Sequence, residues 1–214
     1  MNEPLRILIG DDHRIVREGI KQILSDDPGL QVVAEAATGP DVLEQVQALH
    51  EHLDLVLLDI ALPGRDGLDV LQQLRAAHPR LPVLMLSTYP ERQYAARCIK
   101  LGAAGYLNKS ADPDLMLAAV RKAASGGVFV TPAAAEALAG AVAGRGGAEA
   151  LSHREHQVFR LLIQGRSVSE IGAQLGLAPN TVSTYRARIL EKTGTKNDVE
   201  LALYAERDAT SRNL

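Results

Sequence analysis

Short apolar runs alternate with stretches of helical period along residues 1–125. The runs are LRILIG, QVVAEA, LDLVLLD, PVLMLS and AGYLNK. The third, around Leu55 to Asp59, is apolar without alternation, as in a strand buried on both faces of a parallel sheet. Pro63, Gly64 and Gly67 behind it mark a loop. Between the runs, helical patterns lie near residues 14–26, 40–50, 67–78, 91–101 and 113–125. Five such units predict an α/β domain, a five-stranded parallel sheet with helices on both faces and short right-handed connections.

Beyond residue 125 the pattern changes twice. Ala133 to Val142 has the composition of one more small helix. Gly144 to Ala150 holds three glycines and no apolar period, so it reads as a flexible linker. From Leu151 the chain becomes a set of short helices. SHRE at Ser152 to Glu155 and SVSE at Ser167 to Glu170 are capping boxes. Gly165 and Gly176 fit helix C-termini, and Pro179 fits the first turn of a third helix. The expected domains are therefore 1–125, a 126–150 linker with a short helix, and a small all-α domain over 151–214.

Composition narrows the class. The chain of 214 residues is 46% hydrophobic and 23% charged, which suits a globular protein. No apolar run approaches the ~20 residues of a membrane span. The N-terminal MNEPLRILIG lacks a signal-peptide pattern, so a cytoplasmic protein without membrane partners is expected. The single cysteine, Cys98, sits in a helical stretch and reads as a small core residue. The net charge of −3 is unevenly spread. Residues 1–150 carry 14 Lys+Arg against 19 Asp+Glu, whereas residues 151–214 carry 9 against 7. Only the second half suits a polyanion.

Candidate chemistry appears in what each apolar run ends on. The first ends in Asp11 and Asp12, the third in Asp59, the fourth in Ser87 and Thr88, and the fifth in Lys109. In open α/β sheets, function gathers at the carboxyl ends of the strands. In a flavodoxin-like strand order of 2-1-3-4-5, the first and third strands are neighbours and three carboxylates converge. Such carboxylates repel one another, and a hard divalent cation with oxygen ligands, Mg²⁺, is the economical remedy. Mg²⁺, a lysine and a small hydroxyl make a phosphoryl site, with Asp59 as the attacking carboxylate. Each residue alone has an ordinary explanation as a cap, a strand end or a solvated cation; their coincidence at strand ends is what argues for a site.

In the second half, SVSEIGAQLGLAPNTVSTYRARILEKTG has a helix-turn-helix layout. At 100° per residue, Val182, Tyr185 and Ile189 share a core face with Leu190 at its edge. Asn180, Ser183, Thr184, Ala187 and Arg188 fall opposite, flanked by Arg186, Lys192 and Lys196. Small polar side chains ringed by cations suit insertion into a major groove.

These motifs carry a family resemblance. ILIGDDHRIVREGI, VLLDIALPGRDGL, VLMLST and GAAGYLNKS resemble the receiver domain of two-component response regulators across residues 1–125. The resemblance implies Asp59 as phospho-acceptor, and Mg²⁺ held by Asp11, Asp12, Asp59 and the backbone carbonyl of Ala61. It also implies Ser87 as switch hydroxyl, Tyr106 as switch aromatic and Lys109 as phosphoryl-binding lysine. Ser87 stands where Thr is frequent, and Ser110 where many receivers have Pro. LSHREHQVFRLLIQG, SVSEIGAQLGLAPNTVSTYRARILEKTG and VELALYA resemble the LuxR-type (NarL/FixJ) DNA-binding domain. There the long helix is the recognition helix, and the last, about Asp198 to Arg207, pairs two protomers. Ala178 replaces a frequent capping Ser, a change worth ~1 kcal/mol. Arg188 stands where Asn is more usual and adds a phosphate contact.

The resemblance thus implies a transcription factor, not an enzyme. Its partners would be a sensor histidine kinase, double-stranded DNA with a two-fold repeat, a second copy on activation, and RNA polymerase. Two other readings stand beside it: a regulator that no longer uses phosphate, and a phosphatase with an Asp nucleophile. The phosphatase wants a second Asp two residues after Asp59, where this chain has Ala61. A flavin-binding domain would need donors, not Asp11 and Asp12, after the first strand.

Overall fold

The computed structural model describes residues 3–142, 151 and 153–211. The chain divides into two compact units, Met1–Ala143 and Gly144–Leu214. The glycine-rich stretch read as a linker and Ser152 of the first capping box lie outside the described residues.

In the first unit, strands β1 (Leu5–Gly10), β2 (Leu30–Ala36), β3 (Leu55–Asp59), β4 (Val83–Ser87) and β5 (Gly105–Asn108) alternate with helices. These are α1 (Arg14–Ser25), α2 (Gly39–Leu49), α3 (Gly67–Ala77), α4 (Glu91–Lys100) and α5 (Pro113–Ala124). All pairings are parallel, in the order β2-β1-β3-β4-β5. β3 and β4 are buried at every position, and the sheet divides the core. Leu8, Val56, Leu58 and Met85 face one helical layer, whereas Ile7, Ile9, Leu57 and Leu86 face the other. The unalternating apolar runs are thus a consequence of two covered faces.

Helices α2, α3 and α5 start where short polar side chains satisfy free N–H groups. Thr38 accepts from the Asp41 N–H, Asp66 from Leu68 and Asp112 from Asp114. Gly67 opens α3 against the end of β3, where an added Cβ would lie 2.0 Å from the Asp59 carbonyl oxygen. Only glycine permits that approach, which holds the 60–66 loop beside the strand ends.

The short helix expected within residues 126–150 is present and belongs to the first unit. Residues 132–142 form helix α6 (Pro132–Val142), which packs on α4 with Ala134 fully buried among the core residues of that layer. Arg92 pairs with Glu136 at 3.2 Å, and the Thr131 hydroxyl donates to Glu91. The Phe129 N–H donates to the Ala104 carbonyl at 2.8 Å, and Phe129 bridges the edge strand at Gly105. An alanine-rich helix gives little apolar period, yet its small side chains permit close packing.

The second unit contains α7 (His153–Leu162), α8 (Val168–Leu175), α9 (Pro179–Thr193) and α10 (Asp198–Ser211). Val158, Ile171, Val182, Ile189 and Leu201 are its fully buried centre, with Tyr185 and Leu190 half-buried around it. The Ser167–Glu170 capping box is formed, and Gly176 ends α8 in the left-handed region at φ 64°. α10 begins at Asp198 as expected and runs on to Ser211.

α9 begins at Ala178 with no side-chain cap. Its backbone is extended there, at φ −65° and ψ 143°, the conformation a capping serine adopts. Ala178→Ser should therefore stabilise the second unit by ~1 kcal/mol. For a domain of this size that is a rise of roughly 4–8 °C in melting temperature. Calorimetry of the full-length variant checks it, and an unshifted transition would show that water already serves those N–H groups without loss.

Candidate functional site

The carboxyl ends of β1, β3 and β5 meet on one side of the first unit. β1 and β3 are hydrogen-bonded neighbours with Gly10 level with Leu58, so Asp11 and Asp59 emerge side by side. Asp11 is fully buried and Asp59 is 2% exposed. Lys109, at the end of β5, places its ammonium 2.6 Å from Asp11 Oδ2 and 2.8 Å from Asp59 Oδ2. Its side chain is only 7% exposed, so these are buried, charge-assisted contacts.

The electrostatics follow from burial. Desolvation pushes the Asp59 carboxyl above its ordinary value, against the opposing pull of Lys109 and of the Ala61 N–H bonded to it. Burial draws the Lys109 ammonium down, but the carboxylates of Asp59 and Asp11 outweigh it and leave the lysine above its ordinary value. Asp12 is exposed at the rim, with the His13 imidazole 2.7 Å from its Oδ1. Ligand atoms of Asp11, Asp12, His13 and Asp59 all lie within 4.8 Å of one another. Three carboxylates against one lysine leave a surplus of negative charge, which fits a hard divalent cation.

Ser87 ends β4, fully buried, with its Oγ accepting the Tyr89 N–H at 3.2 Å. The Tyr106 hydroxyl donates to the Tyr89 carbonyl at 2.8 Å, so Ser87 and Tyr106 are linked through Tyr89. Burial pushes the Tyr106 phenol well above the ordinary range. Cys98 is fully buried and its thiol is pushed up to about 12 by burial, consistent with a packing role.

The structure thus brings Asp11, Asp12, Asp59 and Lys109 together directly and connects Ser87 with Tyr106 beside them. Sequence reasoning passed over three participants. His13 joins the acidic cluster, and its place immediately after Asp12 was the available signal. Arg17 donates to the Asp11 carbonyl at 2.6 Å, and Asn108 donates to the Tyr89 carbonyl at 3.2 Å. Neither of these had a sequence signal, because both contacts are with backbone oxygens, which carry no residue-type pattern.

A second candidate surface lies on α9. Asn180, Ser183, Thr184, Ala187 and Arg188 are all exposed, opposite the buried Val182 and Ile189. The Thr184 hydroxyl donates to the Asn180 carbonyl at 3.0 Å. Arg188 and Lys196 are exposed and have no ion-pair partner among the described residues. Arg186 and Lys192 are placed differently from the sequence reading. Arg186 is ion-paired to Asp198 at 2.8 Å. Lys192 lies 2.7 Å from the carboxylate of Glu155, which is 2% exposed. Lys192 thus neutralises a buried acid, whereas the Arg186–Asp198 pair is part-exposed.

Comparison with known proteins agrees with this geometry. The family model described as response regulator receiver domain matches residues 7–121, and that of bacterial regulatory proteins, luxR family, matches residues 149–205. The transcriptional regulatory protein UhpA of Escherichia coli is 39% identical over 198 residues, covering 92% of this chain and 96% of UhpA. The response regulator GacA of Pseudomonas aeruginosa is 36% identical over 207 residues, covering 95% of this chain and 96% of GacA. The crystal structure of the response regulator ChrA, from a heme-sensing two-component system, superposes with a TM-score of 0.55 at 31% identity. That match covers 97% of this chain and 99% of ChrA. With its parallel sheet, acidic strand ends and helix-turn-helix, the chain belongs to the NarL/FixJ family of response regulators, which join a receiver domain to a LuxR-type DNA-binding domain.

Proposed function

We propose that a sensor histidine kinase donates a phosphoryl group to Asp59, and that this switches a transcription factor into its DNA-binding state. The buried Lys109 ammonium bridging Asp11 and Asp59 carries the reading. An Asp59 oxygen attacks phosphorus in line, the bond to the donor's leaving group breaks, and the aspartyl phosphate forms. Asp11, Asp12, Asp59 and the Ala61 carbonyl would hold Mg²⁺, which when bound neutralises charge on the carboxylates and the phosphoryl oxygens. Lys109 is already within reach to transfer its contact to a phosphoryl oxygen. The Ser87 hydroxyl then serves the phosphoryl group in place of the Tyr89 N–H, and the Tyr106 and Tyr89 contacts rearrange.

The site is a switch and not a hydrolase. Ala61 stands two residues after Asp59 and offers no acid or base to speed turnover. On the DNA side, the exposed face of α9 enters the major groove, with Asn180, Ser183, Thr184 and Ala187 at base edges and Arg188 and Lys196 at phosphates. Activation favours a homodimer on a two-fold repeat, and RNA polymerase is the natural further partner of a bound activator. A protein acting on DNA this way works in the cytoplasm.

Acetyl phosphate with Mg²⁺ should add one phosphoryl group to the wild-type protein and none to Asp59→Asn. Intact-mass spectra decide this, and undiminished labelling of the variant would move the acceptor elsewhere. The same variant should also change stability in a pH-dependent way. Burial raises the folded-state pKa of Asp59, so folding disfavours its charged form. That penalty is absent below the unfolded value near 3.8 and fully present above the raised folded value. Without divalent cations, Asp59→Asn should therefore melt higher than wild type at neutral pH, and the gap should close as the pH falls through that window. Thermal denaturation in a chelating buffer checks the sign.

On DNA, Arg188→Ala should weaken binding and reduce the slope of log affinity against log salt by ~1, the signature of one lost phosphate contact. Arg186→Ala should instead leave the salt slope nearly unchanged and lower the melting temperature of the second unit only slightly, because its ion pair with Asp198 is part-exposed. Titrations across a salt series, with a melting curve for each variant, separate the two roles.

A further inference from the structure

His13 occupies the N-cap of α1 in an extended conformation, at φ −88° and ψ 102°, yet its side chain makes no capping bond. Its position is fixed by the backbone, since the His13 N–H donates to Asp11 Oδ1 at 2.8 Å. The imidazole is turned toward the acidic cluster. Nδ1 lies 2.7 Å from Asp12 Oδ1 and 3.4 Å from Asp11 Oδ1. Lys109 meets the other oxygen of Asp11, Oδ2, so Asp11 presents one oxygen to the lysine and one to the histidine.

Ligand atoms around one divalent ion with ~2.0–2.2 Å bonds sit up to about 4.2 Å apart. The four donors, all within 4.8 Å of one another, need only small movements to share an ion. Their chemistry is mixed. Carboxylate oxygens are hard and suit Mg²⁺, which demands oxygen and keeps several waters. An imidazole nitrogen is a borderline donor, which first-row transition ions accept more readily than Mg²⁺ does.

We infer that His13 Nδ1 is a ligand for first-row divalent ions such as Mn²⁺ and Zn²⁺ at this site, replacing a water that Mg²⁺ would keep. The inference rests on reading the acidic cluster as the receiver's metal site, and extends it to which metal the site prefers. His13 thereby acts as a selectivity residue, raising affinity for transition ions over Mg²⁺.

The test uses full-length protein and Mn²⁺ as probe. Pulsed electron paramagnetic resonance of the Mn²⁺ complex should show imidazole nitrogen coupling in wild type, and lose it in both His13→Ala and His13→Gln. Calorimetric titrations should show the ratio of Mn²⁺ to Mg²⁺ affinity falling about tenfold in those variants, the scale seen for losses around a metal centre. Asp12→Asn should lower both affinities together, because it removes a charge felt by either ion. No nitrogen coupling in wild type, or an affinity ratio unmoved by His13→Ala, overturns the assignment. Labelling of wild-type Asp59 in Mg²⁺ stands or falls separately, so failure of the phosphorylation reading is distinguishable from failure of this one.

Discussion

The Lys109 ammonium between two buried carboxylates is the contact on which the first unit's organisation turns. Two carboxylates withdrawn from water at adjacent strand ends are tolerable only with a partner cation at hydrogen-bond distance. That requirement links β1, β3 and β5, although β4 lies between the last two. The balance remains incomplete, since one lysine faces Asp11 and Asp59 inside and Asp12 at the rim. Residual negative charge, with Asp59 pushed up by burial, is a state that a cation would relieve and that suits the proposed phosphoryl transfer. A perfectly neutralised cluster would be more stable and would have less reason to bind either.

The contacts around the site continue outward through backbone as much as side chain. Ser87 touches the Tyr89 N–H, and the Tyr89 carbonyl gathers the Tyr106 hydroxyl and Asn108. Pro90 then caps α4, whose first residue, Glu91, accepts from Thr131 ahead of α6. A continuous physical path therefore runs from the strand ends to the last described residues of the first unit. Full reversal of a two-state switch from 1:99 to 99:1 needs ~5.5 kcal/mol. A few charge-assisted contacts to a new phosphoryl group, at about 1.5–3 kcal/mol each, are of that order.

In the second unit, stability and recognition compete for the same cations. Lys192 is held by the buried Glu155 and Arg186 by Asp198, which leaves Arg188 and Lys196 to face outward. Breaking the Lys192 pair would strand a carboxylate out of water, a larger penalty than the loss of a surface ion pair. The exposed middle of α9 is consequently small and uncharged from Asn180 to Ala187 apart from Arg186, a shape suited to close approach.

The sequence by itself determined the strands, the helices and their caps, because apolar period and capping residues are local properties. It also determined that Asp11, Asp12, Asp59, Ser87 and Lys109 close strands, and which face of α9 is exposed. The family resemblance carried Tyr106 and Ala61, which no local pattern marks. Only the tertiary structure decided that α6 packs on α4, since alanine leaves little periodic signal while allowing close contact. Only it decided that Lys192 pairs with the buried Glu155 and Arg186 with Asp198, and that His13 turns toward the acidic cluster. Those outcomes depend on which side chains from distant segments arrive within a few ångströms, and Coulomb and hydrogen-bond energies act over that separation in space, not along the chain.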